Sequence, residues 1–126
     1  GRMETPLIPL INGKAFGSAA CLSNLATFSV ATPSTRMAFP ETSFGFIPTG
    51  GASYHLSRLP GEVGVYLALT GRVINGSDAV HLKFAYNFAN LTDEFLCDLH
   101  STAAQISNPI PSHKLFGEYY EAFKKD

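Results

Sequence analysis

The chain has 126 residues, of which 45% are hydrophobic and 15% are charged. This length and composition favour one compact globular unit and exclude a disordered or membrane-embedded chain. The net charge of −1 gives no reason to expect nucleic acid or an anionic membrane as a partner. No apolar run approaches the roughly 18 residues of a membrane span. Cys21 and Cys97 are predicted to be reduced thiols of an intracellular protein.

The first part of the chain is predicted to contain short strands around one helix. Strands are expected at residues 5–11, 28–31 and 37–39, and Asn12-Gly13 ends the first of them. Residues 16–22 are mostly small and have helical composition, with free backbone N–H groups at the Gly17-Ser18 start. Such a helix start is suited to binding an oxyanion.

The later part of the chain is predicted to be mainly helical, because glycine, proline and capping residues divide it into segments of helical composition. The expected elements are helices at 52–59 and 63–69, a helix capped by Ser77 or Asp78 that runs to about Ala85, a strand at 86–89, and a helix capped by Thr92. Residues 1–106 are therefore assigned to one core.

Residues 107–126 are assigned to a linker and an amphipathic helix. Pro109 and Pro111 indicate the linker. Apolar and aromatic residues then recur at helical spacing, which predicts a helix that docks on a partner surface. These residues are Leu115, Phe116, Tyr119, Tyr120 and Phe123.

Glu41 is the candidate catalytic residue, because it follows Pro40 in a turn and precedes a Gly50-Gly51 helix start. From the residues alone, a carboxylate that caps a turn in solvent remains the favoured alternative. As a general base, Glu41 would need a desolvated setting. The apolar side chains expected to exclude water from it are Phe39, Phe44, Phe46 and Ile47.

Other polar residues are weaker candidates. Ser18 lacks the Gly-x-Ser-x-Gly surroundings of a nucleophile, and Cys21 is expected to be a small buried residue. The histidines have no metal-ligand spacing, so no metal site is predicted. Arg58 and Arg72 are expected on the surface.

Several motifs occur in a fixed order between Pro6 and Leu99. They are Ile11-Asn12-Gly13 through Gly17-Ser18-Ala19, Phe39-Pro40-Glu41, Gly45 with Pro48 through Gly51, Leu56 to Leu59, and Leu69-Thr70-Gly71 followed by Ile74 and Ser77-Asp78-Ala79. Together they resemble the crotonase superfamily, the enoyl-CoA hydratase/isomerase group, and most closely its 3-hydroxyisobutyryl-CoA hydrolase branch.

The resemblance implies an α/β fold, a crotonase-like β-β-α spiral without the family's first N-terminal turns and its C-terminal part. It implies a coenzyme A thioester as substrate and no tightly bound cofactor. Two backbone N–H groups form the family's oxyanion hole, and the second of them corresponds to Ser18. The family's acid/base corresponds to Glu41. The first oxyanion donor belongs to an N-terminal portion that nothing here matches.

Three positions depart from the family pattern. Ser18 stands where the family has a glycine. Cys21 stands where hydratases have a second glutamate, and Thr49 stands where the hydrolase branch has an aspartate. The expected function is therefore hydrolase-like action on acyl-CoA. The alternatives are an enoyl-CoA isomerase that uses Glu41 alone, or a non-catalytic assembly or structural protein.

The resemblance also implies partners and a location. Family members often form trimers or pairs of trimers, so the chain is expected to self-associate or to pair with a missing N-terminal segment that covers its strand edges. By itself it is not expected to be a free-standing catalytic monomer. The resemblance further implies a mitochondrial location.

Overall fold

A computed structural model describes residues 7–26 and 28–105. The strands are short and fall into two three-stranded sheets. In chain order they are β1 Leu10–Ile11, β2 Lys14–Phe16, β3 Val30–Ala31, β4 Arg36–Ala38, β5 Ile74–Asn75 and β6 Asn87–Phe88. The helices are α1 Ser18–Leu25, α2 Ala52–Leu56, α3 Val63–Thr70, α4 Gly76–His81 and α5 Asp93–Gln105, with a 3₁₀ helix at Pro40–Phe44. None of these described helices is both long and apolar enough to cross a membrane.

The chain winds as a repeated β-β-α unit. Each turn of the spiral gives one strand to each sheet, so that β1 pairs with β3 and β2 pairs with β4, both in parallel. The first sheet has the order β1-β3-β6, and the second has the order β2-β4-β5, in which β5 runs antiparallel to β4. This architecture confirms the α/β fold and the β-β-α spiral that the resemblance implies.

Buried hydroxyl groups hold the corners where the chain passes from one sheet to the other. Thr32 Oγ1 donates to the Ile11 carbonyl oxygen at 3.1 Å, and Thr35 Oγ1 donates to the same oxygen. The Thr32 N–H in turn donates to Thr35 Oγ1 at 2.8 Å. Both threonines are buried. These bonds satisfy polar groups that would otherwise be unpaired inside the protein, so the two corners are fixed against each other.

The core lies between the sheets and the helices. Its largest fully buried side chains include Met37 of β4, Phe39 just after β4 and Phe84 after α4. The rings of Phe39 and Phe84 are in tilted contact, with centroids 5.4 Å apart. Phe39 thereby anchors the chain immediately before the 3₁₀ helix that carries Glu41.

The early elements differ from the prediction in length and in number. The strand predicted at 5–11 is limited to Leu10–Ile11 among the described residues, and the strands predicted at 28–31 and 37–39 become β3 and β4. The strand β2 was missed, because Asn12-Gly13 forms a corner between two strands and does not end the sheet structure. Phe16 belongs to β2, so the predicted helix begins at Ser18 and extends to Leu25.

The later elements show similar differences. The helix predicted at 52–59 ends at Leu56, and the strand predicted at 86–89 is limited to Asn87–Phe88. Strand β5 was missed. The predicted cap of α4 was wrong: Asn75 is the cap, and its side chain accepts from the Asp78 N–H at 2.8 Å.

The predicted end of α4 was wrong, whereas the predicted cap of α5 was right. Helix α4 ends at His81, not near Ala85. The Thr92 cap of α5 is confirmed, since its Oγ1 accepts from the Phe95 N–H at 3.2 Å. The predicted linker and docking helix at 107–126 lie outside the described residues.

The packing of α3 on α2 generates a stability prediction at Gly64. A Cβ atom at Gly64 would lie 1.8 Å from the Leu56 carbonyl oxygen. An alanine inside a helix ordinarily gains about 1 kcal/mol over glycine. Because the clashing atom belongs to the backbone, the cost of overpacking should lie at the upper end of its usual range, at about 3 kcal/mol. After the helix gain of about 1 kcal/mol, Gly64→Ala should lower the free energy of unfolding by about 2 kcal/mol.

The measurement is urea unfolding of the full-length protein that contains this chain. Val65→Ala is the matched control on the same helix, because Val65 is exposed and its truncation should change stability by no more than about 0.5 kcal/mol. Equal stability of Gly64→Ala and the parent protein would show that α2 and α3 do not pack in this way.

Candidate functional site

The site begins where β2 and β4 end side by side. The register pairs Phe16 with Ala38, and the Gly17 N–H continues the pairing by donating to the Ala38 carbonyl oxygen at 2.9 Å. Because the strands are parallel, their carboxyl ends lie at the same edge of the sheet. The first turn of α1 and the 3₁₀ helix after β4 are therefore neighbours.

The 3₁₀ helix is fastened to the end of α3. Thr42 Oγ1 lies 3.1 Å from the Ala68 carbonyl oxygen and 3.3 Å from the Leu69 carbonyl oxygen, two acceptors that the end of a helix leaves open. Gly71 follows α3 with a φ of +61°, and a Cβ there would lie 3.0 Å from Pro40 Cα. The backbone around Glu41 is therefore held by packing on both sides.

The carboxylate of Glu41 faces the start of α1. Its Oε1 accepts a long hydrogen bond from the Thr49 N–H at 3.4 Å, and its Oε2 is buried without a partner among the described residues. A Cβ at Gly17 would lie 3.1 Å from Oε1, and Gly17 has a φ of +58°. Both observations favour glycine at position 17. One oxygen of this carboxylate is thus left without a hydrogen bond from the described part of the chain.

Ser18 is the first residue of α1, and the first N–H groups of a helix have no partner within it. The residue is exposed, and its hydroxyl shares a hydrogen bond with Thr49 Oγ1 at 3.3 Å. A Cβ at Gly50 would lie 3.3 Å from both Ser18 Cα and Ser18 Oγ. The segment Thr49-Gly50 therefore lies directly against the first turn of α1, and this close approach accounts for glycine at position 50.

Cys21 lies one turn further along α1 and is buried. Its thiol donates to the Thr49 carbonyl oxygen at 3.3 Å. Burial, and to a smaller extent the charge of Glu41, raise the pKa of this thiol. Cys21 is therefore protonated at neutral pH and cannot take the place of a second carboxylate. The prediction of a small buried residue is confirmed, and both Cys21 and Cys97 are free thiols.

The structure brings Ser18, Cys21, Glu41 and Thr49 together, and Thr49 contacts each of the other three. One predicted feature of the site is wrong. Phe44, Phe46 and Ile47 are 72%, 68% and 76% exposed, so they do not enclose the carboxylate. The reason is that the 3₁₀ helix packs on α3 through Thr42, which leaves Phe44 at its end and the loop that follows in solvent.

Sequence reasoning missed the contacts of Gly17 and Gly50 with the other site residues. Both residues have positive φ angles, a conformation that favours glycine. The sequence shows the glycines, but it does not show which other segment of the chain packs against them. The expected positions of Arg58 and Arg72 are confirmed, since both are exposed. In residues 7–26 and 28–105, no cluster of three or more His, Cys, Asp or Glu could hold a metal ion.

A sequence profile of the enoyl-CoA hydratase/isomerase family matches residues 1–125. The chain belongs to this family. Its similarity to curated relatives includes 42% identity over 88 residues to the mitochondrial 3-hydroxyisobutyryl-CoA hydrolase of Xenopus tropicalis, covering 70% of this chain and 23% of the relative. It is also 43% identical over 88 residues to the small ribosomal subunit protein mS47 of Arabidopsis thaliana, covering 70% of this chain and 22% of the relative. The chain thus spans less than a quarter of either relative.

Solved structures of the family share the fold. A carnitinyl-CoA dehydratase from Mycobacterium thermoresistibile is 30% identical with a TM-score of 0.73, over 90% of this chain and 35% of the other. An enoyl-CoA hydratase from Mycobacterium tuberculosis has the same TM-score at 23% identity, over 100% of this chain and 58% of the other. The expected crotonase fold and the expected similarity to 3-hydroxyisobutyryl-CoA hydrolases are both confirmed.

The buried position of Cys21 generates a prediction about thiol reactivity. The thiolate is the reactive form, and a raised pKa lowers its fraction at neutral pH. Iodoacetamide should therefore alkylate the exposed Cys97 much faster than Cys21 in the native full-length protein at pH 7.5, as measured by peptide mass spectrometry.

Two comparisons sharpen this test. In urea both cysteines should react at similar rates, because burial no longer protects Cys21. In the Glu41→Gln variant, loss of the nearby negative charge should shift the Cys21 pKa toward its ordinary value and modestly speed its alkylation. Fast alkylation of Cys21 in the folded parent protein would contradict the described packing.

Proposed function

We propose that the full-length protein that contains this chain acts on acyl-CoA thioesters, with Glu41 as the acid/base and the Ser18 N–H as one oxyanion donor. The observation that carries this proposal is the buried Oε2 of the Glu41 carboxylate, which has no partner among the described residues. The other oxygen of this carboxylate lies beside Gly17, next to the first turn of α1. A buried carboxylate oxygen without a hydrogen bond is costly, and a substrate or water proton would satisfy it.

The arrangement supports hydrolysis in two steps. Glu41 accepts a proton from water as the water oxygen bonds to the thioester carbon, and the developing negative charge on the carbonyl oxygen is stabilised by the Ser18 N–H. The carbonyl then re-forms, the C–S bond breaks, and the coenzyme A sulfur leaves with the proton from Glu41. The family's oxyanion hole has a second backbone donor, for which we propose no residue of this chain.

The names of the relatives support the substrate class. One relative is named 3-hydroxyisobutyryl-CoA hydrolase, and the solved neighbours are named for CoA chemistry. On the same basis we propose a mitochondrial location, since that relative is named mitochondrial. We also propose that the exposed strand edges and apolar side chains are covered by self-association or by other parts of the protein, and that residues 107–126 dock on such a surface.

A second candidate function is a non-catalytic structural role. Two observations favour it: the 43% identity to a small ribosomal subunit protein, and the presence of a single carboxylate among the four site residues. In this case the hydrogen bonds of Thr49 to Ser18, Cys21 and Glu41 would serve to stabilise the fold.

Turnover in a Glu41→Gln variant separates these functions. If Glu41 transfers the proton, the variant should lose about 10²–10⁴-fold in kcat, which is the usual contribution of a positioned acid/base. The assay is release of free coenzyme A thiol from short branched acyl-CoA by the full-length protein. Equal unfolding temperatures of variant and parent are the control for folding.

The same assays also distinguish the two alternative functions. Double-bond migration that depends on Glu41, without coenzyme A release, would select the isomerase alternative. Absence of any Glu41-dependent turnover of hydroxyacyl-CoA or enoyl-CoA thioesters would contradict the catalytic proposal and favour the structural one.

A further inference from the structure

A pocket of about 400 Å³ lies away from Glu41 and has a basic lining. It is formed by the end of α1, the region from α2 to Pro60, and the segment around the end of α4. Its volume lies within the range of pockets that hold small molecules. Four basic side chains line it, and none of its described lining residues is acidic. The lining residues are Asn24, His55, Arg58, Leu59, Pro60, His81, Leu82, Lys83 and Phe84.

Asn24 brings an unsatisfied donor to this pocket. Its side-chain nitrogen Nδ2 is buried and has no hydrogen-bond partner among the described residues. Buried polar groups in proteins are nearly always paired, so an orphaned one requires an explanation. Because Asn24 also lines the pocket, a rotation of its side chain would let this nitrogen donate to an acceptor oxygen bound there.

Lys83 contributes a charge from a strained backbone. Its φ of +61° makes it the one non-glycine residue with a positive φ in the described part of the chain. Glycine adopts this conformation freely, whereas a lysine does so at a cost. The conformation closes the end of α4, where the Phe84 N–H donates to the Ala79 carbonyl oxygen at 2.7 Å, and it sets Lys83 among the residues that line the pocket.

Arg58 contributes a second charge that is already oriented. Its guanidinium lies 3.5 Å from the centre of the Tyr54 ring, and Nη1 donates to the Tyr54 carbonyl oxygen at 2.7 Å. Within residues 7–26 and 28–105, its Nε and Nη2 have no hydrogen-bond partner. A planar guanidinium held in this way loses little entropy when it binds an oxyanion.

His55 contributes a hydrogen-bonding group and not a charge. Burial and the neighbouring Arg58 lower the pKa of His55, so its imidazole is mostly neutral at neutral pH. The fixed positive charges at the pocket are therefore those of Arg58 and Lys83. Two positive charges surrounded by donors match the charge of a phosphate dianion.

We propose that this pocket binds phosphate, either inorganic or as the phosphate group of a small monoester, at a site separate from the acyl-CoA site. Asn24 and Ser18 lie six residues apart on α1, which corresponds to about 9 Å along the helix axis. The proposal does not depend on the proposed function, because none of its residues belongs to the group around Glu41.

The test is isothermal titration calorimetry of the full-length protein with inorganic phosphate, at constant ionic strength in chloride. Saturable binding of one phosphate per chain is expected. Arg58→Gln and Lys83→Gly should each weaken it at least about tenfold, the loss expected for a charge-assisted hydrogen bond. Arg72→Gln is the matched control, because Arg72 is exposed and lies outside this pocket, and it should leave the affinity unchanged.

Lys83→Gly also separates binding from folding. Glycine accepts a φ of +61°, so the unfolding temperature should not fall while the phosphate affinity does. Three results would overturn the proposal: no saturable binding, an equal loss of affinity in Arg72→Gln, or displacement of phosphate by coenzyme A at the affinity of the acyl-CoA site.

Discussion

The parallel register of β2 and β4 is the constraint on which the candidate site depends. It pairs Phe16 with Ala38 and continues through the hydrogen bond from the Gly17 N–H to the Ala38 carbonyl oxygen. A slip of one residue would turn Met37 out of the core, so burial fixes the register. The same register sets the start of α1 beside Glu41. One pairing therefore determines both the packing of the core and the position of the carboxylate.

The residues around Glu41 form a connected polar group. Thr49 bonds to Ser18 through its hydroxyl, to Cys21 through its carbonyl oxygen and to Glu41 through its N–H. These contacts link the positions where the sequence departs from the family pattern, so the departures occur together at one place. They leave one carboxylate oxygen and the first N–H groups of α1 for a ligand, which are the parts that thioester chemistry needs.

Much of this arrangement could be predicted from the sequence, and the physical reasons for the misses are specific. The helix start at Ser18 and the Thr92 cap follow from local chemistry. Strands β2 and β5 have three and two residues, too short to show an alternating pattern. The cap at Asn75 was missed because Ser77 and Asp78 are equally good capping types. Because Phe44, Phe46 and Ile47 are hydrophobic, they were predicted to enclose Glu41. They are exposed in the structure, since no described segment covers them, and the sequence does not show which segments pack together.

The most direct test of the central claim is a crystal structure of the full-length protein with a non-hydrolysable acyl-CoA analogue. The account predicts that the oxygen replacing the thioester carbonyl oxygen lies within about 3 Å of the Ser18 amide nitrogen. It also predicts that Glu41 Oε2 lies within hydrogen-bond reach of the reacting group or of one water molecule beside it. An analogue bound elsewhere, with Ser18 and Glu41 not in contact with it, would contradict the account.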